Sequence, residues 1–150
     1  MPRAVLRWSL RLGAAYFVAV TAAHWAGCKV PGLFIYYSIP SYPYLDRGIG
    51  TLSFGWAVFI WTASREPSLV PAVLIAGAAG ILGFSTINLS HEMAALAAPR
   101  DLAVFWIEIA ALAAYLGWLA AWSRLAERDR RTAADREGGS AGRSRQDERL

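Results

Sequence analysis

Four long stretches of the sequence are apolar and nearly free of charge, and they constrain the fold more than any other feature. They cover roughly residues 8–28, 47–64, 68–90 and 102–123. Each is close to the ~20 residues that an α-helix needs to cross the hydrocarbon core of a bilayer. The second stretch is the shortest, and Asp46 is predicted to cap its N-terminus. The sequence therefore predicts an all-α integral membrane four-helix bundle formed by residues 1–123.

The composition favours a membrane protein over a soluble one. Hydrophobic residues make up 56% of the 150 residues, and the mean hydropathy is +0.34, which is too apolar for a soluble chain of this size. The net charge of +4 does not indicate nucleic acid, because the basic residues are concentrated at the termini and beside the apolar stretches. We expect membrane lipids as partners and no nucleic acid. The single Cys28 excludes an internal disulfide.

Basic residues also predict the orientation. One side of the membrane receives Arg3, Arg7, Arg11, Arg65 and the eight arginines that follow residue 123, whereas the other side receives only Lys29, Arg47 and Arg100. Positive charge is retained on the cytoplasmic side, so both termini are predicted to be cytoplasmic. The Ala- and Arg-rich composition is compatible with a bacterial inner (plasma) membrane.

The two ends of the chain carry separate expectations. Small residues at positions 21–23 leave a cleaved signal peptide as an alternative for the first stretch, although His24 and Gly27 continue it to a natural helix end. Residues 124–150 mix both signs of charge at high density. They are predicted to form a cytoplasmic tail that first extends the fourth helix and is disordered from Gly138 onward.

Polar residues collect at the predicted outer half of the four helices. The segment STINLSHEM, residues 85–93, places Ser85, Asn88 and Glu92 on one helical face if the third helix continues through it. Glu108 lies ~10 Å below the predicted outer boundary of the fourth helix, where an unpaired carboxylate is costly. The catalytic candidates are Glu108, His24 and His91. The ligand-binding candidates are Asn88, Glu92, Asp46, Arg47, Tyr37 and Tyr44. The alternative for Glu108 is that it is neutral and only fixes its helix against neighbouring helices. The alternative for His91 is that it lies at an ordinary solvent-exposed helix end.

The segment between the first two helices, residues 30–48, is aromatic yet contains three prolines. It cannot span the bilayer as a helix, and it is too apolar to extend into water. We expect it to fold over the outer face, either as an interfacial anchor or as a lid over a pocket. Its tyrosines, Tyr36, Tyr37, Tyr42 and Tyr44, combine a ring for apolar contact with a hydroxyl for polar contact.

Three kinds of function are compatible with this pattern. The first is binding of an amphipathic or lipid-like small molecule in an extracytoplasmic polar pocket, with Glu108 as a general acid or counter-ion and a histidine as its proton partner; whether the protein is an enzyme stays open. The second is an accessory or assembly subunit of a larger membrane complex, or a homo-oligomer, packed through the face of Ala72, Ala76 and Gly80. The third is a metal or proton-transfer site. No ligand spacing selects a metal, and position 95 is Ala where a zincin motif needs His, so we expect no metal and no cofactor.

Overall fold

A computed structural model describes the backbone of residues 1–147 and the side chains of residues 1–132. Over that range the chain is all-helical, as predicted, and contains no strand. The helices are α1 (Pro2–Ala26), α2 (Pro43–Arg65), α3 (Val70–Asn88), α4 (His91–Leu96) and α5 (Pro99–Asp147), with a 3-10 turn at Pro67–Leu69 between α2 and α3.

Prolines set where the helices begin. Pro2, Pro43 and Pro99 each occupy the first residue of a helix, where the missing N–H costs nothing and the fixed φ already suits the helix. As a result α2 starts four residues before the predicted boundary at 47. The prediction of Asp46 as its N-cap is wrong, because Tyr42 is the N-cap and Asp46 lies in the first turn.

The third helix ends two residues before its predicted boundary at residue 90. α3 ends at Asn88, and Ser90 caps the short helix α4 by accepting a hydrogen bond from the backbone N–H of Met93 at 3.1 Å. Glu92 therefore does not continue the helical face of Ser85 and Asn88. The predicted shared face is wrong, since it depended on an unbroken helix.

Four long helices pack around a common interior. α1 lies along α2 and also contacts α5, and α3 packs mainly against α5; α2 and α3 touch far less than the other neighbouring pairs. At the end that holds the α2–α3 connection, the side chains form a buried group that we call the core cluster. It comprises Leu6, Leu10, Ala14, Ile60, Ala63, Val70, Val73, Leu119 and Ala126.

Two helical segments are long and apolar enough to cross a membrane, Pro67–Asn88 and Pro99–Thr132. α1 and α2 overlap the other two predicted windows, although α1 begins six residues earlier than predicted, and neither meets the same criterion within the described range. Residues such as Arg11 and His24 lower the hydropathy of α1. α5 is much longer than its window, because it continues from residue 123 into the charged segment as far as Asp147. The end of the predicted tail, residues 148–150, lies outside the described residues.

Candidate functional site

The most prominent feature of the interior is a cavity of about 460 Å³ on the far side of the core cluster from the α2–α3 connection. All four long helices and the segment 32–36 line it. On α5 the lining residues recur every three or four positions, so one helical face points into the cavity. Those residues are Phe105, Glu108, Ile109, Leu112, Tyr115, Leu116 and Leu119. Most of the wall is apolar, and its polar side chains are Tyr16, Tyr36, Ser53, Asn88, Glu108 and Tyr115.

Glu108 holds the segment above the cavity through a backbone contact. Its Oε1 accepts a hydrogen bond from the N–H of Gly32 at 2.7 Å, and the hydroxyl of Tyr16 donates to the carbonyl of the same Gly32 at 2.6 Å. Side chains of α1 and α5 thus form hydrogen bonds with both peptide groups of Gly32. Gly32 has φ +79, a left-handed conformation in which any other side chain would be strained.

Two polar groups of the cavity wall have no hydrogen-bond partner. Asn88 is only 4% exposed, and neither the oxygen nor the nitrogen of its carboxamide is paired with another described group. The hydroxyl of Tyr36 is buried and equally unpaired. A buried polar group left without a partner costs about 1–3 kcal/mol. In native proteins such groups are usually paired with a water, an ion or a ligand.

The segment 27–42, which we call the lid, is anchored from both sides. The ring of His24 stacks on Phe34 with 4.0 Å between centroids, and its Nε2 accepts the backbone N–H of Ile35 at 3.1 Å. On α5, Asp101 Oδ1 accepts a hydrogen bond from the hydroxyl of Tyr37 at 2.8 Å. These contacts hold the aromatic segment down over the helices.

Tyr36 is the most constrained residue of the lid. Its φ of 56 is left-handed, a strained conformation that costs a non-glycine residue of order 1–3 kcal/mol. Its ring meets Phe105 and Phe84 edge-on, with centroids 5.0 and 6.3 Å away. Burial, with a smaller contribution from the Glu108 carboxylate, raises the pKa of Tyr36 to about 12. The hydrogen bond to Asp101 raises the pKa of Tyr37 as well.

The structure brings together some of the residues singled out in the sequence. Glu108 and Asn88 line the cavity, whereas His24 and Tyr37 hold the lid from outside it. Asp46 is buried at the base of the lid, where its Oδ2 accepts a hydrogen bond from Ser41 at 2.8 Å.

The other four candidates lie on the surface. His91, Glu92, Arg47 and Tyr44 are exposed, and none of them lines the cavity. The break after Asn88 moves His91 and Glu92 onto α4. Arg47 lies next to the buried Asp46 on a different face of α2, and Tyr44 stacks on Tyr42 instead of pointing inward. No group of three or more metal-ligating side chains occurs among the residues whose side chains are described.

Several lining residues were missed by sequence reasoning. Tyr16 and Trp56 are aromatic residues within apolar helices and carry no local signal that separates them from packing residues. Gly80 was predicted to be part of a helix-packing face, yet it lines the cavity, and a Cβ built there meets nothing within 4 Å. Only the glycine at position 32, which follows a proline in the sequence, carried a turn signal.

Comparison with known proteins does not assign the chain to a family. No protein-family model, no curated protein and no solved structure matches the chain.

Proposed function

We propose that all four long helices span a membrane, including the two that fall short by composition alone. The support is the outward surface of α1 and α2. Leu12 and Val18 on α1, and Leu52, Phe54 and Val58 on α2, are large apolar side chains that are about half exposed or more. Such a surface on every helix is unfavourable in water and suits lipid tails.

The arginine distribution supports cytoplasmic termini and an extracytoplasmic lid. Leu6 near the start of α1 and Ala126 beyond the apolar part of α5 belong to the same core cluster, so the N-terminus and the charged continuation of α5 lie at one end. The lid lies at the other end, beside the first turn of α5. The bacterial inner membrane stays a prediction from composition.

Within this arrangement, the protein binds an amphipathic small molecule in the cavity. The observation that carries this proposal is the carboxamide of Asn88, which is buried in the cavity wall without a partner. A ligand with a polar group beside Asn88 and the Tyr36 hydroxyl, and with an apolar remainder toward Leu119, would satisfy both the polar and the apolar parts of the wall. Pockets of a few hundred Å³ with a few convergent polar groups are typical of small-molecule sites.

Binding is better supported than catalysis. A general base needs a free lone pair near the reacting group, but Nε2 of His24 already accepts the N–H of Ile35. His91 is exposed and outside the cavity. Glu108 is the one ionisable acid in the wall besides the tyrosines, and one of its oxygens is engaged by Gly32. A general acid also needs a proton partner, and neither histidine is available to act as one for Glu108 in the cavity.

A matched pair of glycine variants tests the proposal. A Cβ at Gly80 or at Gly83 meets nothing within 4 Å, yet only Gly80 lines the cavity. Gly80→Leu should fill cavity space, whereas Gly83→Leu adds the same side chain elsewhere on α3. Both remove a helix-interior glycine, which favours the helix by up to ~1 kcal/mol.

The measurement is native mass spectrometry of each protein, extracted gently from its own membrane. We expect a retained small molecule on the wild type and on Gly83→Leu, and its loss on Gly80→Leu. A wild-type protein that carries no small molecule, or one that Gly80→Leu retains fully, would contradict binding in this cavity.

A specific observation also favours a second function, that of an accessory subunit. An open apolar groove of about 420 Å³ runs between α3 and α5, and small residues line part of it, namely Ala78, Ala113, Gly117 and Ala120. Small residues allow a partner helix to approach closely in a membrane. Gly117→Leu should then lose a co-purifying subunit, and Gly55→Leu, also in open space but away from the groove, should keep it.

A further inference from the structure

Resting on the proposed function, we propose that the ligand is a single-chain membrane amphiphile with a non-anionic, hydrogen-bonding head, and that it reaches the cavity sideways between α2 and α3. The size of the cavity, the chemistry of its polar end and the position of its rim each support one part of this proposal.

Size limits the ligand to one chain. The cavity has a volume of about 460 Å³, which lies within the few hundred Å³ typical of sites for one small molecule. The lining residues of α5 from Glu108 to Leu119 cover ~16 Å along the helix, so the space is elongated. A single hydrocarbon chain with a small head fits these dimensions, whereas a lipid with two acyl chains exceeds them.

The charged residues of the cavity wall determine which head group the ligand can carry. The cavity wall contains one carboxylate, Glu108, and no Lys, Arg or His. A phosphate or carboxylate head would meet an acid with no cation to offset it, which is unfavourable in a low-dielectric site. The unpaired carboxamide of Asn88 offers both a donor and an acceptor, and so does the hydroxyl of Tyr36. An alcohol or amide head satisfies these groups without adding negative charge.

The rim of the cavity lies between α2 and α3. Leu52 on α2 is 72% exposed and Ile87 on α3 is 43% exposed, yet both line the cavity. Leu52 lies ~20 Å along α2 from its end at Arg65, and Ile87 lies ~26 Å along α3 from its start at Val70, so the two are within about one helical turn in height. α2 and α3 contact each other far less than α1 and α2, α3 and α5, or α1 and α5 do.

The lid covers the top of the cavity, and Ile60, Val73 and Leu119 of the core cluster close the bottom. On the α1–α5 side, Tyr16 is 40% exposed and its hydroxyl donates a hydrogen bond to the carbonyl of Gly32. An opening between α2 and α3 faces the apolar interior of the bilayer in the proposed orientation. A chain that is already dissolved in the membrane can use it without crossing water.

Photolabelling in lipid nanodiscs tests the head group. The probes are diazirine analogues of dodecanol and of dodecyl sulfonate, which share one chain and differ only in the head. Peptide mapping should find dodecanol label on cavity residues such as Trp56, at least tenfold above the sulfonate. Asn88→Leu should remove most of this label. Equal labelling by the two probes would overturn the non-anionic head.

A pair of pyrene-maleimide adducts tests the opening. Leu52→Cys and Leu12→Cys, each combined with Cys28→Ser, place the adduct on side chains of equal exposure, 72% and 73%. Leu52 lies at the rim, whereas Leu12 lies on α1 away from the cavity. The Leu52→Cys adduct should slow dodecanol labelling at least tenfold, and the Leu12→Cys adduct should not. Equal rates would overturn access between α2 and α3.

The two proposals can fail separately. If Gly80→Leu loses a retained molecule but dodecanol does not label the wild-type cavity, binding stands and the single-chain ligand is wrong. If no molecule is retained and no probe labels the cavity, both are wrong.

Discussion

The two ends of the helix assembly are built from the same kinds of apolar residues, yet they differ in how they treat space and polar groups. At the end with the α2–α3 connection, the core cluster is buried, and Leu119 has no exposed surface. At the lid end, the same helices surround a cavity of about 460 Å³. Close packing is the default of protein interiors, so the lid end departs from it.

Polar groups occur at both ends, and the buried Nε of Arg11, beside Leu10 of the core cluster, has no hydrogen-bond partner among the described residues. Near the core cluster, Ser9 accepts hydrogen bonds from both Tyr115 and Trp118, through its carbonyl at 2.9 Å and its Oγ at 2.9 Å. At the lid end, the Asn88 carboxamide and the Tyr36 hydroxyl have no hydrogen-bond partner within the described part of the chain. The lid end therefore differs from the core cluster in combining unfilled space with unpaired polar groups in one cavity wall. Substitutions at the two ends should have opposite effects.

The largest effect is expected in the core cluster. Leu10 is 1% exposed there, and Leu10→Ala should lower the free energy of unfolding by about 2–5 kcal/mol, because it removes packed atoms and leaves a cavity. Detergent-denaturant titration in mixed micelles measures this value. Leu12→Ala, on the outward face of the same helix, is the control and should cost less than about 0.5 kcal/mol. Equal losses in the two variants would contradict the assignment of the core to this end.

At the lid end, a substitution should increase the free energy of unfolding instead of decreasing it. Asn88→Leu replaces an unpaired carboxamide by an apolar side chain of similar size, and it should raise the free energy of unfolding of the ligand-free protein by about 1–3 kcal/mol. The same variant should lose the ligand. Thermal unfolding of delipidated protein measures the first effect and native mass spectrometry the second. A variant that is less stable and still binds would show that Asn88 has a structural role only.

Alkaline titration examines the lid end without changing its packing. Burial raises the pKa of Tyr36 from 10.0 to about 12, so the folded state favours the neutral phenol. Its contribution to stability is fully present below pH 10 and is lost as the pH rises toward 12. The tyrosinate absorbance of wild type minus Tyr36→Phe should therefore appear near pH 12.

Glu108→Gln sharpens this titration. It removes the smaller, electrostatic cause of the shift, so the pKa of Tyr36 should fall but stay above 10. A difference spectrum that already appears near pH 10 in the wild type would mean that the Tyr36 ring is not buried under the lid.

The sequence predicted the helices better than their ends. Runs of apolar residues indicate membrane-length helices regardless of tertiary context, whereas Pro43 and Ser90 moved two boundaries through local backbone chemistry. Ser90 is a favoured N-cap residue, but no glycine or proline marks the break after Asn88. A capping serine inside a polar segment is easily read as part of a continuing helix.

The candidate site was predicted in part for a similar reason. Glu108 and Asn88 stand out because ionisable and amide side chains are costly within apolar helices. Tyr36 and Tyr16 do not stand out, because aromatic residues are common at both ends of membrane helices. His24 stood out as a histidine within an apolar helix, but its Nε2 pairs with the backbone of Ile35, which side-chain patterns do not reveal.

The smallest effect is expected at His91, which was predicted from the sequence as a site residue but lies outside the cavity in the structure. His91 begins α4, is exposed, and lies outside the cavity wall. His91→Ala should change the free energy of unfolding by no more than about 0.5 kcal/mol and leave dodecanol labelling unaltered. His24→Ala provides the contrast, because it removes the acceptor for the Ile35 N–H and the ring that stacks on Phe34. It should loosen the lid, which faster hydrogen exchange of the Ile35 amide would report. If His91→Ala instead reduced labelling as strongly as Asn88→Leu, α4 would have to fold inward when ligand binds. His91 would then belong to the cavity wall of the ligand-bound protein.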